Sequence, residues 1–359
     1  MKLFGDTYRG RLVLITGHTG FKGSWLATWL TELGAVVTGV ALPPETTPNH
    51  WDVLECSIQD HRLDIRDATA LASLVTDSQP EIVFHLAAQP LVRRSYREPI
   101  ETWSTNVMGT AHLLEACRNT KSVKAIVIVT SDKCYANQEW QWGYREHDRL
   151  GGHDPYSASK AAAELVAASY RRSFFGGSNS PLLATARAGN VVGGGDWSED
   201  RLIPDLVRAI SAQQPLEIRS PNATRPWQHV LDSLSGYLML GQQLLNRRCE
   251  FADAWNFGPE PAGNQTVSNV LEALNKFWPE LRWHESNSPQ PHEANFLYVD
   301  SAKANRVLNW QPIWRMEETL KATANWYRAW LETNSVVTRH QIDAYGDAAQ
   351  NAGAIWTRE

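Results

Sequence analysis

Five apolar runs alternate with helix-like stretches through the first half of the chain, and this alternation constrains the fold more than any other feature. The runs are "RLVLIT", "AVVTGVAL", "EIVFHLAA", "VKAIVIVTS" and "LLATARAGNVV". They are rich in Val, Ile and Leu with little or no polar face, as strands covered on both sides of a parallel sheet must be. Between them, "FKGSWLATWLTELG", "ATALASLVTDSQ", "ETWSTNVMGTAHLLEACRN" and "YSASKAAAELVAASYRRSF" carry apolar residues at helical spacing. A shorter run, "HRLDI", reads as a further strand. The pattern predicts a doubly wound α/β domain with a parallel sheet.

After about Asn190 the texture changes: Gly and Pro become frequent, runs shorten and aromatics thicken. Residues 1–189 are therefore expected to form the sheet domain, and 190–359 a smaller mixed α/β lobe. The two are expected to interleave, with returns to the sheet near 226–258 through "WQHVLD" and "AWNFGP". A chain of 359 residues can support two such lobes. Helices are expected at "DRLIPDLVRAISAQ", "TVSNVLEALNKFW" and "RMEETLKATANWYRAWL". The tail from about Ser335, rich in Ala, Asn and Gly, is expected to be loosely held. Most of the 16 Trp residues are expected in the core or at interfaces.

Several function classes fall away. A net charge of -5 without a Lys/Arg cluster offers no footprint for nucleic acid. No apolar stretch reaches membrane-spanning length, and "MKLFGDTYRG" lacks the apolar core of a secretory signal. Cys56, Cys117, Cys134 and Cys249 are scattered, with no metal-ligand spacing, so reduced thiols in a cytoplasmic protein are expected.

The first strand runs into "TGHTGFKGS" and then a helix. Gly17 allows the tight turn, Gly20 lets backbone approach a pyrophosphate, and Gly23 lets the helix pack close to the sheet. Phosphates would lie over the helix N-terminus, where free N–H groups favour negative charge. The acid or arginine that would separate NAD from NADP after the second strand is missing from "GVALPPET". That choice stays open, although no basic residue awaits a 2′-phosphate there. Asp64 could reach the adenine, or could serve as a helix cap or loop acid. Ala87 and Ala88 leave room for a cofactor across the strand ends, and His85 is expected to be packed.

Tyr156 and Lys160, in "DPYSASK", stand four apart at a helix start and share a face. A phenol ordinarily titrates near 10, and a neighbouring ammonium would lower that value. Ser131, at the preceding strand end, could bond the same substrate hydroxyl.

With those residues in place, the chain resembles the extended short-chain dehydrogenase/reductase superfamily. The carriers are "TGHTGFKGS", "HLAAQ", "NVMGT", "SDKCY", "YSASK" and "RPWQHV". Within it the chain is similar to the CDP-glucose 4,6-dehydratases, through "GHTGFKGSWL", "AAQPLVRRSY", "TSDKCY", "WGYRE", "AGNVVGGGDW", "DRLIPD" and "RPWQHVLD". The resemblance implies a Rossmann-type fold, NAD as cofactor, CDP-glucose as substrate and a homodimer or higher homo-oligomer. It also implies an early step toward the deoxy sugars of surface polysaccharide. Further cofactor contacts are implied at Thr19, Phe21, Lys22, Ile65, Leu86, Gln89 and Thr130. Tyr156 would act as base at the C4 hydroxyl, with Lys160 as electrostatic partner and ribose anchor and Ser131 positioning the hydroxyl. Asp132 would be the acid, and Lys133 either the base at C5 or an electrostatic stabiliser of the enolate. Asn190, Arg201, Arg219 and Arg225 are implied substrate ligands, the arginines because a planar guanidinium clamps phosphate. His292, Glu293 and Tyr298 are candidates for the nucleoside side. Two competing readings are a nucleotide-sugar 4-epimerase or reductase, which would have no use for Asp132-Lys133, and a non-catalytic dinucleotide sensor, which would not need Tyr156.

Overall fold

The computed structural model describes residues 3–286 and 296–358. Twelve strands lie within the described residues: β1 (Leu12–Thr16), β2 (Val36–Ala41), β3 (Gln59–Arg62), β4 (Ile82–His85), β5 (Ala125–Val129), β6 (Leu182–Ala188), β7 (Asn190–Val192), β8 (Leu216–Ile218), β9 (Thr224–His229), β10 (Ala254–Phe257), β11 (Asn264–Thr266) and β12 (Trp283–Glu285). Seven of them form one sheet in the order β10-β6-β5-β4-β1-β2-β3, with every neighbouring pair parallel. Alternate residues of a strand point to opposite faces, and the core divides accordingly. Val13 and Ile15 pack with Trp25, Trp29 and Leu234 on one face. Leu14, Val83 and Ile126 pack with Leu71, Leu113 and Ala167 on the other.

Connections reverse direction between β1 and β4, whose register pairs Thr16 with His85. A crevice opens at the carboxyl ends of strands at such a reversal. His85, at the end of β4, is buried, bonded to Thr16 Oγ1 at 2.6 Å and Thr110 Oγ1 at 3.0 Å. Burial lowers its pKa to about 3, so it is a neutral packing group.

Four sequence expectations need correction. Of the two stretches expected to rejoin the sheet, Ala254–Phe257 does so, but Thr224–His229 is the middle strand of a separate three-stranded sheet, β11-β9-β7. The run "LLATARAGNVV" is two strands, β6 and β7, broken at Gly189. A Cβ there would meet Pro226 Cγ at 2.5 Å and Asp132 Oδ2 at 2.9 Å, so the break leaves room for the Asp132 carboxyl. The long helix through Trp103 is interrupted by a π-helical segment, Ser104–Met108, between Pro99–Trp103 and Gly109–Arg118. Finally, the tail is not loose. Thr338–Asn351 is a helix that buries Ile342 and Tyr345, and Trp356 beyond it stacks on Phe4 at 4.9 Å.

Candidate active site

The glycine turn lies at the β1–β4 reversal and fits a phosphate-bearing cofactor. Gly17 has φ +78°, and a Cβ on it would lie 2.6 Å from the Ala87 nitrogen. A Cβ on Gly23 would lie 2.0 Å from the Gly17 carbonyl oxygen, so the helix and turn touch backbone to backbone. Gly20 is different: the nearest protein atom to an added Cβ is 3.4 Å away. The fold itself tolerates a methyl there, so what Gly20 keeps clear is the space outside the chain. Helix Phe21–Glu32 begins on Gly20 with no side chain capping its first N–H groups, the donors a pyrophosphate would take.

All the cofactor residues expected from sequence line one cleft of about 1830 Å³, from the Gly17–Gly23 turn through Asp64, Ile65, Leu86, Ala87, Ala88 and Gln89 to Thr130, Tyr156 and Lys160. Asp64 is engaged by Arg66 in a fork of 2.8 and 2.6 Å, and the cap of the helix that follows is Asp67 instead. Asn106 was not singled out from the sequence. Seated in the π-helical segment, its side chain accepts from the Gln89 N–H at 2.8 Å. It donates to the Gln89 carbonyl at 3.1 Å and to Ser159 Oγ at 2.8 Å, tying the strand-end loop to the Tyr156 helix. The string "NVMGT" contains it, but nothing in that string marks a side chain as turned inward.

At the catalytic end, Ser131 ends the extended backbone after β5 and caps the short turn Asp132–Cys134, accepting from the Lys133 N–H at 3.2 Å. Its hydroxyl donates to Asp132 Oδ1 at 3.0 Å. Beneath it, Thr130 Oγ1 donates to Glu164 at 2.5 Å, and Glu164 pairs with Arg187 at 2.7 Å, both side chains 3% exposed. Breaking such a buried pair typically costs about 3–5 kcal/mol, so it fixes the strand end. Asp154 caps helix Pro155–Ser173, accepting from Ser157 N–H at 2.9 Å with Pro155 at the first position. Tyr156 and Lys160 thus enter the cleft from a helix with a defined start.

The electrostatics correct one expectation. Burial, only partly offset by the Ser131 hydroxyl, pushes the Tyr156 phenol up to about 12. Burial also lowers Lys160 to about 8, opposed by Glu164. The chain alone therefore keeps the tyrosine protonated, because desolvation outweighs the Ser131 hydrogen bond and the Arg201 charge. Burial likewise raises the Asp132 carboxyl above its ordinary value, against the opposing pull of Lys133 and Ser131. A carboxyl whose pKa is raised is better matched to proton donation than an ordinary carboxylate. Lys22 reaches the Tyr237 hydroxyl at 3.3 Å, and burial with the Arg201 charge lowers it to about 7.

Asn190, Arg201, Arg219 and Arg225 line the same cleft, as does Lys133. The arginines have different partners. Arg201 bonds the buried Asp196 at 2.9 Å and is close enough to Tyr156 to influence its phenol. Arg225 bonds the Thr224 carbonyl at 3.0 Å and opposes the upward shift of Asp132. Arg219 pairs with Asp200 at 3.1 Å. Tyr298 does not line the cleft: its hydroxyl donates to the Gln141 carbonyl at 2.6 Å, whereas Leu297 beside it does line the cleft. His292 and Glu293 lie outside the described residues.

The model of the GDP-mannose 4,6 dehydratase family matches residues 14–323. The chain belongs to that family. It is 47% identical over 350 residues to the CDP-glucose 4,6-dehydratase of Salmonella typhimurium, covering 95% of this chain and 98% of the relative. Among solved structures, MoeE5 in complex with UDP-glucuronic acid and NAD matches with a TM-score of 0.74 and 28% identity, over 88% of this chain and 98% of that one. TunA, an NAD-dependent NDP-hexosamine 5,6-dehydratase of tunicamycin biosynthesis, matches with a TM-score of 0.73 and 25% identity, over 88% of this chain and 97% of its own. The family and the Salmonella relative make this chain an enzyme of the dehydratase type; the epimerase and sensor readings are not favoured. No helix among the described residues is long and apolar enough to cross a membrane.

Proposed function

We propose that this family member is an NAD-dependent dehydratase of the cytoplasm that converts CDP-D-glucose to CDP-4-dehydro-6-deoxy-D-glucose. The reaction oxidises C4, eliminates water across C5 and C6, and returns the hydride to C6. The observation that carries the reading is Ser131-Asp132-Lys133 at the end of β5, opening into the same cleft as Tyr156 and Lys160, with the acid buried and its pKa raised. The 47% identity to a CDP-glucose enzyme supports the base and sugar.

Bound NAD would accept the hydride from C4 and give it back at C6. Tyr156 would take the C4 hydroxyl proton, while Ser131 orients that hydroxyl and Lys160 anchors the ribose. The C4 ketone acidifies C5, where Lys133 would remove the proton, or stabilise the enolate by its charge, as Asp132 protonates the departing C6 hydroxyl. A proton must return to C5 as the hydride adds at C6, and a protonated Lys133 would supply it. Asn190 would contact the sugar or its diphosphate, and Arg225, Arg219 and Arg201, which line the same cleft, would hold the diphosphate.

The test is incubation with CDP-glucose and NAD, following 4-keto-6-deoxy product and net NADH, with Lys133→Ala in parallel. The expected result is product without net NADH, and loss of elimination in the variant by about 10²- to 10⁴-fold. Net NADH, or a C4 epimer without dehydration, would overturn the reading.

A further inference from the structure

Asp200 has a left-handed backbone, φ 60°, in the loop before helix Leu202–Ser211. Its Oδ1 lies 3.1 Å from Arg219 Nη1 and 3.6 Å from Arg93 Nη1. These groups come from separate parts of the chain. Arg93 stands on the short helix Val92–Arg97 after β4, and Arg219 directly follows β8. All three residues line the cleft, and their side chains are only 26–27% exposed. Arg219 also approaches Asp205 Oδ2 at 3.6 Å with its other amino group.

One anionic oxygen shared by two guanidinium groups is the arrangement a phosphate oxygen would adopt between them. Partly exposed ion pairs contribute little to stability, so the fold has small need of this one. We propose that Asp200 is an internal stand-in for the diphosphate of the substrate, and that Arg93 joins Arg219 in binding that diphosphate once Asp200 yields. The proposal rests on the nucleotide-sugar reading above and adds to it a ligand, Arg93, and a competing carboxylate, Asp200.

Two consequences follow from charge. Loss of the Arg93 guanidinium weakens binding of a diphosphate but not of the nucleoside. Loss of the Asp200 charge strengthens binding of the diphosphate, because the competitor is gone.

The experiment is calorimetry of CDP and of cytidine binding to the full NAD-loaded chain. Arg93→Gln is expected to weaken CDP about tenfold and leave cytidine unchanged, with Arg93→Lys between the two because it keeps charge without the planar fork. Asp200→Asn and Asp200→Ala are both expected to tighten CDP about three- to tenfold. Unchanged or weaker CDP binding in both Asp200 variants overturns the stand-in. If Arg219→Gln weakens CDP while Arg93→Gln does not, the added role of Arg93 is overturned and the nucleotide-sugar reading survives. Failure of the parent chain to bind CDP removes the reading itself, and this proposal with it.

Discussion

A phenol pushed up to about 12 cannot take a proton at neutral pH unless positive charge is added beside it. Arg201 supplies part of that charge, and burial holds the pKa of the neighbouring Lys160 near 8. Bound NAD would supply more. Tyr156→Phe should therefore lose turnover by about 10²- to 10⁴-fold while NAD binding stays within about twofold, read by equilibrium titration of the cofactor beside single-turnover kinetics. Retained turnover would remove Tyr156 from the chemistry. Ser131, Asp132, Lys133, Tyr156 and Lys160 could be singled out as candidates from the sequence, because each stands at a strand end or helix start that local pattern marks, and all five line one cleft. Glu164, Arg187 and Asn106 were not. A single polar residue in a helix or strand pattern reads as a solvent face, and only the packing of distant segments shows that these three turn inward.

The strands of the main sheet were legible for a related reason: a run such as "VKAIVIVTS" carries its own burial. Strands of three residues, such as β7, β8, β11 and β12, are too short to show any period, and the sheets they form arise from tertiary pairing. The glycine turn gives the sharpest test at this scale. Gly23→Ala would drive a Cβ to 2.0 Å from backbone, so the variant should be destabilised by about 1–3 kcal/mol or more. Gly20→Ala meets nothing closer than 3.4 Å. It should keep the parent melting temperature within about 2 °C, yet bind NAD at least about tenfold more weakly. Equal melting losses in the two variants would contradict the assignment. Asp232 tests how elements are joined. Its Oδ1 accepts from Tyr345 OH at 2.7 Å and Ile313 N–H at 2.7 Å, linking helix Val230–Leu245 to the C-terminal helix. Burial raises its carboxyl to about 7. The folded state then holds a proton the unfolded chain has released, so the group's contribution is full below about 4 and is lost as pH rises through about 7. The gap from 3.8 to about 7 corresponds to roughly 4 kcal/mol. Asp232→Asn should remove that slope, so denaturant midpoints of parent and variant should diverge between pH 4 and 7 in favour of the variant and run parallel above. A constant difference across that range would show that Asp232 stays charged throughout.

At the scale of the whole molecule, several large apolar side chains on the helices beside the site are exposed. Ile100 is 78% exposed, and Trp103 and Met108 are exposed on the same interrupted helix. Leu165, 61% exposed, stands on the neighbouring helix Pro155–Ser173. The inner sides of these helices are committed to the site, through the Asn106–Ser159 bond at 2.8 Å and the buried Tyr156 and Lys160. The outer sides are free to meet a second copy, and in a two-fold dimer each copy presents the same patch. We therefore propose a homodimer built on this face. A partner there would press on the helices that carry Tyr156, so dimer and site would be coupled. Ile100→Glu combined with Leu165→Glu places four charges in such an interface and should raise the dimer dissociation constant by roughly 100-fold or more. Light scattering across a concentration series is the measurement, with circular dichroism to show that the variant remains folded. A parent chain that is monomeric throughout, or a double variant that remains dimeric, would place the contact elsewhere or remove it. A folded monomer with reduced turnover would show that the outer face supports the inner one.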